Sequence, residues 1–169
     1  EFVRQGGTLI ALDDAAELPV QFFPLALRNV TRGSDEGARF ESPGSLLRIT
    51  VDPSHPIAFG MPEEAIAFST GGHAYEISLL PEFNKVDREI RSVARYARGN
   101  LLASGWLSGE KTVLGKHVLL EARHGQGRVI VFGFRPQFRG QPFGTFKLLL
   151  NAIYLASARP LSPEARPSR

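Results

Sequence analysis

Gly125-Gln126-Gly127, then Arg128-Val129-Ile130-Val131-Phe132, then Gly133-Phe134-Arg135-Pro136-Gln137-Phe138-Arg139-Gly140-Gln141, then Pro142-Phe143-Gly144-Thr145-Phe146-Lys147: residues 125–147 decide how this chain folds. Read in order, they are a turn, an apolar strand, a polar loop and the start of a helix. The order places Arg135, Gln137, Arg139 and Gln141 where a buried strand ends, which is where open α/β sheets bind ligands. Upstream, Thr8-Leu9-Ile10-Ala11-Leu12 is a second short apolar run, closed by Asp13-Asp14, and fits a strand buried on both faces. Before it, Glu1 to Gln5 followed by Gly6-Gly7 reads as the last turn of a helix with a glycine stop. A further helix is expected over about 15–23, interrupted at Pro19 or Pro24.

Between these anchors the pattern alternates or breaks. Residues 31–45 are polar and glycine-rich and read as a long loop. Leu47, Ile49 and Val51 alternate with Arg48 and Thr50, the signature of a half-buried strand. Strands are expected at about 66–69, 74–79, 91–97, 101–104 and 112–114, with 117–122 and 128–133 joined as a hairpin across His124-Gly125-Gln126-Gly127. The last helix, about 143–157, carries Phe146, Leu149, Leu150, Ile153 and Tyr154 at three- and four-residue spacing, so that face is expected to pack on the sheet. The expected fold is therefore α/β. Residues 1–157 form its domain and 158–169 a disordered tail rich in proline and arginine.

Composition narrows the function classes. With 169 residues, 43% of them hydrophobic, one domain can bury roughly 70% of its unfolded surface. The net charge of +3 lies mostly in the tail, where Arg159, Arg166 and Arg169 face only Glu164. A pI of 9.6 thus lacks the clustered basic face of a nucleic-acid binder, and no nucleic-acid partner is expected. No run approaches the roughly 18 apolar residues of a membrane span. With no cysteine, disulfides, thiolate zinc sites and cysteine nucleophiles are excluded from these residues.

Three groups of side chains invite chemical readings. His73-Ala74-Tyr75-Glu76 matches a zinc-binding spacing, but three-residue spacing on a strand points the two ligands to opposite faces, so a surface or turn histidine is expected. Asp13 and Asp14 stand where α/β enzymes place carboxylates, while a helix cap is the simpler account. Arg135 and Arg139 suit an anion clamp, with Gln137 beside them and Thr145 and free N–H groups at the helix start. The competing reading pairs the two arginines with Asp13, Asp14 or Glu110. Ser104-Gly105-Trp106 lacks the flanking glycines of a nucleophile elbow, and no phosphate-loop signature occurs.

Taken together, Gly6-Gly7-Thr8-Leu9-Ile10-Ala11-Leu12-Asp13, His55-Pro56-Ile57-Ala58-Phe59-Gly60-Met61-Pro62, and Gly127-Arg128-Val129 through Phe146-Lys147-Leu148-Leu149 resemble the carboxyl-terminal region of bacterial zinc-carboxypeptidase-like proteins. That region is similar to the class I glutamine-amidotransferase (flavodoxin-like) superfamily and to its trehalose-utilisation-type members. The likeness runs to about residue 157 and is most specific over Gly133 to Arg139. It implies a partial flavodoxin-like, three-layer sandwich: a mostly parallel sheet with a strand-rich antiparallel second half, its first strands lying before residue 1.

Amidotransferases of this superfamily carry a cysteine nucleophile on the elbow after a strand, activated by a histidine and a glutamate. No cysteine stands here, and His55 is followed by Pro-Ile rather than the Pro-Glu of the amidotransferase pattern, so no catalytic role transfers to it. The resemblance places zinc and the peptidase domain upstream in the same chain and favours a secreted or periplasmic setting. The segment itself is then a non-catalytic accessory domain, its partner the peptidase domain and its ligand peptide or cell-wall material. The alternatives are a small hydrolase or sugar-processing protein of the trehalose-utilisation type, using Asp13, His55 or the arginine loop, and an anion-binding module at Arg135, Arg139 and Thr145.

Overall fold

A computed structural model describes residues 1–23, 25–32, 39–78 and 89–158. The apolar run 128–132 is the centre of the architecture. It lies in strand β9 (Gly127–Phe132), which pairs in parallel with β1 (Thr8–Leu12), from Thr8 opposite Arg128 to Leu12 opposite Phe132. On its other edge β9 forms a hairpin with β8 (His117–His124), turning at Gly125, whose φ of +62° suits glycine. The sheet continues through β6 (Ile90–Tyr96), β3 (Pro43–Val51) and β4 (Glu64–Thr70), giving the order β1-β9-β8-β6-β3-β4. Short strands β2 (Leu27–Asn29), β5 (Tyr75–Ile77) and β7 (Leu102–Ser104) pair at its margins, making nine strands among the described residues. Parallel pairing is confined to β1 and β9 there. The parallel share of the sheet is smaller than expected because consecutive strands on the β8 side are joined without helical crossovers and so run antiparallel.

Alternation in β9 explains why both faces are covered. Val129 and Val131 point to a core that also holds Leu120, Ala122, Leu27 and Tyr75, while Ile130 and Phe132 point to one built with Leu119, Leu47, Ile49 and Val51. The first is roofed by helix α1 (Glu17–Phe22) and the 3-10 turn Asp13–Ala16 before it, the second by helix α2 (Phe143–Ser157). These are the three layers of the expected sandwich. Pro19 is accommodated in the first turn of α1, where backbone N–H groups have no helical partner. Pro24, residues 33–38 of the long loop, Leu79 at the end of the expected 74–79 strand, and 159–169 of the expected tail fall outside the described residues.

Two expectations need correction. Residues 112–114 are not a strand: a 3-10 turn, Glu110–Thr112, occupies the position, bracketed by left-handed Gly109 and Gly115. More consequentially, α2 packs with a face turned from the one expected, on which Phe146 and Leu149 are only half-buried. Thr145, Leu148 and Ala152 are buried, whereas Leu150, Ile153 and Tyr154 are exposed. Apolar residues ring this helix, so periodicity alone does not select a face, and the small Ala152 lets the backbone approach the sheet.

His117 opens β8, buried between β5 and β6, with Nδ1 2.7 Å from Ser92 Oγ. Burial, reinforced by Arg95 and Lys116, pushes its pKa down to about 4. An unfolded histidine titrates near 6.5, so between about pH 6.5 and 4 the unfolded chain binds the extra proton. Stability is therefore lost as pH falls through that window, by about 1–2 kcal/mol after allowing for solvent screening. Urea unfolding across pH should show this slope in the native chain and a flatter one in His117→Gln.

Candidate functional site

The parallel pair β1 and β9 ends at one edge of the sheet, and its two exits meet there. Leaving β1, Asp13 turns the chain from strand to helix with φ at +51°. Leaving β9, the chain passes Gly133 and buried Phe134 to Arg135, whose backbone N–H donates to Phe68 O at 3.2 Å. Arg135 Nε donates to Asp13 Oδ2 at 2.5 Å, and Thr70 Oγ1 donates to the same oxygen at 3.1 Å. Asp13 is buried, so its charge is matched inside the fold rather than offered to solvent. Pairing with Asp13 is thus the role the structure gives Arg135. Glu110 lies in the 3-10 turn Glu110–Thr112.

Asp14 is different: its side chain is 85% exposed and is held from behind by His73 Nε2 at 3.2 Å. The tautomer of that histidine follows from its neighbours. The Thr31 backbone N–H can only donate, so the Asn29 atom 2.9 Å away is Oδ1. The Asn29 amide nitrogen then faces Glu17 Oε1 at 2.5 Å and His73 Nδ1 at 2.9 Å. Nδ1 must therefore accept, which leaves the proton on Nε2, aimed at Asp14. Tyr75 Oη donates to the same Glu17 oxygen at 3.4 Å, its pKa pushed up by burial and by the Glu17 charge. Arg32 lies 3.6 Å from the other Glu17 oxygen.

Asp14 separates two pockets. One, of about 370 Å³, opens past His73 toward Arg32, Arg39 and Ser42. The other, of about 330 Å³, is bounded by Asp13, Arg135, Gln137, Phe138 and Arg139. In the second, Phe138 stacks on Phe68 with centroids 4.7 Å apart, and the Arg135 and Arg139 guanidinium carbons lie 5.4 and 5.0 Å from its ring. Gln137 and Arg139 are exposed on its rim.

The sequence-based expectations divide accordingly. Asp13, Asp14, Arg135, Gln137 and Arg139 come together around one crevice. Thr145 does not join them: fully buried, its hydroxyl donates to Pro136 O at 2.8 Å and ties the loop to α2. His55 also stands apart, accepting from Ile57 N–H at 3.2 Å through Nδ1 and facing Glu121 Oε2 at 3.0 Å through Nε2. Although burial opposes it, the His55 hydrogen bond and Arg128 hold the Glu121 carboxyl below its usual range.

His73 is the residue that sequence reasoning missed, since it is a buried hinge of the site rather than a surface histidine. Its partner in the zinc-like spacing, Glu76, instead pairs with Arg28 and Lys116. The signal available was Gly71-Gly72 ahead of it, both at positive φ, which drops the chain into the crevice. Ligand atoms of Asp13, Asp14 and His73 lie within 4.8 Å of one another. Two of these groups are already engaged, Asp13 by Arg135 and Thr70, and His73 by Asp14 and Asn29.

A mixed α/β, three-layer fold with a polar crevice beyond its parallel strands is the class these observations define. No protein-family model matches the sequence, and no curated protein matches it. Among solved structures, a ThuA-like protein from Parabacteroides merdae is 17% identical with a TM-score of 0.50, covering 92% of this chain and 62% of that one. A β-galactosidase from Bacillus circulans sp. alkalophilus is 14% identical with a TM-score of 0.52, covering 95% of this chain and 20% of its own. A GMP synthase component from Thermoplasma acidophilum gives 14% identity and a TM-score of 0.49, with 88% and 56% covered. The likeness is one of fold alone, carried by the ThuA-like protein and a part of the β-galactosidase, and the chain spans about three-fifths or less of the length of each.

Proposed function

We propose that this chain is a non-catalytic accessory domain of a zinc-carboxypeptidase-like protein, its peptidase domain lying elsewhere in the same polypeptide. The observation that carries this reading is the occupant of the elbow. At the strand-to-helix turn after β1 stands Asp13, with its backbone in the left-handed region, and no cysteine occurs there or elsewhere in the sequence. Its carboxylate is turned inward to Arg135 and Thr70. A nucleophile must face its substrate and have a base beside it, whereas Asp13 serves as a brace. The resemblance of residues 6–13, 55–62 and 127–149 to the region following such peptidases supports the parent context. Purified chain incubated with glutamine and with carboxypeptidase peptides, with and without added zinc, should give no turnover above a heat-denatured control. Sustained turnover of either substrate overturns the reading.

One observation favours the sugar-processing alternative: Asp14 is an exposed carboxylate oriented by a buried histidine, an arrangement suited to proton transfer. Under that reading glycoside turnover is measurable and Asp14→Asn abolishes it. Under the accessory reading there is no such activity to lose.

A further inference from the structure

Among the described residues, the outer face of α2 carries the largest concentration of exposed apolar side chains. Phe143, Leu150, Ile153 and Tyr154 are 70, 51, 51 and 72% exposed, and Phe59, from the turn beside the helix, is 76% exposed. The patch is rigid. Asn151 Nδ2 donates to Ile57 O and Phe59 O at 2.9 and 3.0 Å, and Lys147 Nζ donates to Gly60 O at 3.0 Å, so the turn is fastened to the helix. Single exposed apolar residues are ordinary, but a contiguous stripe of this kind marks an association surface.

We infer that this face is a self-association surface, on which two copies of the chain pair through α2 about a two-fold axis. Three features select a second copy as the occupant. The first is area: five such side chains expose on the order of 500 Å². Pairing the same patch with itself then removes about 1,000 Å² from water, which reaches the range of specific interfaces.

The second feature is charge. Lys147 is the only ionisable side chain on α2 besides Tyr154, and its ammonium is already tied to Gly60. That bond leaves the ammonium charged, so a pair of copies carries one lysine from each at the seam, while the stripe itself has no acidic group and no pattern of charge by which a different partner would be chosen.

The third feature is placement. Phe143 and Tyr154 stand at the two ends of a segment about 16 Å long, with Leu150 near its middle. Turning one copy end over end brings Phe143 of each opposite Tyr154 and Phe59 of the other, aromatic against aromatic, with Leu150 nearest the axis and Ile153 beside the Tyr154 end. This surface lies on the α2 layer, away from the Asp14 crevice, and the inference stands whether or not the crevice has an activity.

Sedimentation of the full chain over a range of concentrations tests it. The wild-type chain is expected to be a dimer, and Ile153→Glu a monomer with an unchanged circular dichroism spectrum, its dimer dissociation constant raised about a hundredfold or more because each substitution acts twice in a two-fold interface. Leu150→Lys, on the same stripe, should act alike and guards against a folding defect in either variant. A wild-type chain that stays monomeric to about 100 μM would overturn the inference and assign the stripe to another domain of a longer polypeptide. A dimer that survives both substitutions would overturn it equally.

Discussion

Gly133→Ala is expected to destabilise the chain by about 3 kcal/mol or more, because the added methyl group has nowhere to go. Its carbon would fall within the radius of the His73 carbonyl oxygen, 3.0 Å from the His73 carbonyl carbon and 3.3 Å from Val118 O. All three are backbone atoms, so no side-chain rotation relieves the contact. They also belong to bonds that hold this edge of the sheet: His73 N–H donates to Gly133 O at 2.7 Å, and Gly133 N–H donates to Val118 O at 2.7 Å. Separating them displaces the segment that carries His73, so the substitution disturbs the crevice as well as the fold. For a chain of this length the melting temperature should fall by about 6–12 °C. Gly144→Ala is the control. It lies in α2 with nothing within 4 Å of the new carbon, and should stabilise by about 0.5–1 kcal/mol. A Gly133→Ala protein that melts with the native chain would show that the close approach of these strands is not required.

The position of Gly133 also shows what sequence can disclose here. A strand such as Arg128 to Phe132, apolar on both faces, announces a covered sheet, and the polar loop after it announces an edge where groups converge. Both are local signals, and an α/β fold with a covered sheet follows from them, while the three layers are implied by the family resemblance. Side-chain pairing is not local. Asp13 and Arg135 are far apart in the chain and meet only because β1 and β9 run in parallel. His73 is harder still, since its setting combines Asp14, Glu17 and Asn29 from three different segments. Without the β2–β5 pairing that brings Asn29 close, nothing distinguishes it from a turn histidine. The face of α2 escaped for a different reason: with Phe146, Leu148, Leu149, Leu150 and Ala152 all apolar, the choice was made by how closely the helix could approach the sheet, which spacing does not encode.

Removing the guanidinium of Arg135 should have the second largest effect. In Arg135→Ala the Asp13 carboxylate stays buried at the end of β1 with Thr70 as its remaining side-chain donor. Breaking one side of a fully buried ion pair typically costs about 3–5 kcal/mol. The Arg135 side chain is 36% exposed, so water screens part of the loss and about 2–3 kcal/mol is expected. Asp13→Asn separates charge from shape, because asparagine tolerates the left-handed backbone that position 13 adopts. If the pair is the brace that closes the elbow, the two substitutions are not additive, and urea unfolding of the four proteins in the cycle should give a coupling energy above about 1 kcal/mol. Additive losses would mean that Arg135 holds Asp13 weakly and remains available to an anionic ligand in the adjoining pocket. That result would remove the observation on which the non-catalytic reading rests, since an aspartate at a strained elbow with its charge unclaimed is a nucleophile in waiting rather than a brace.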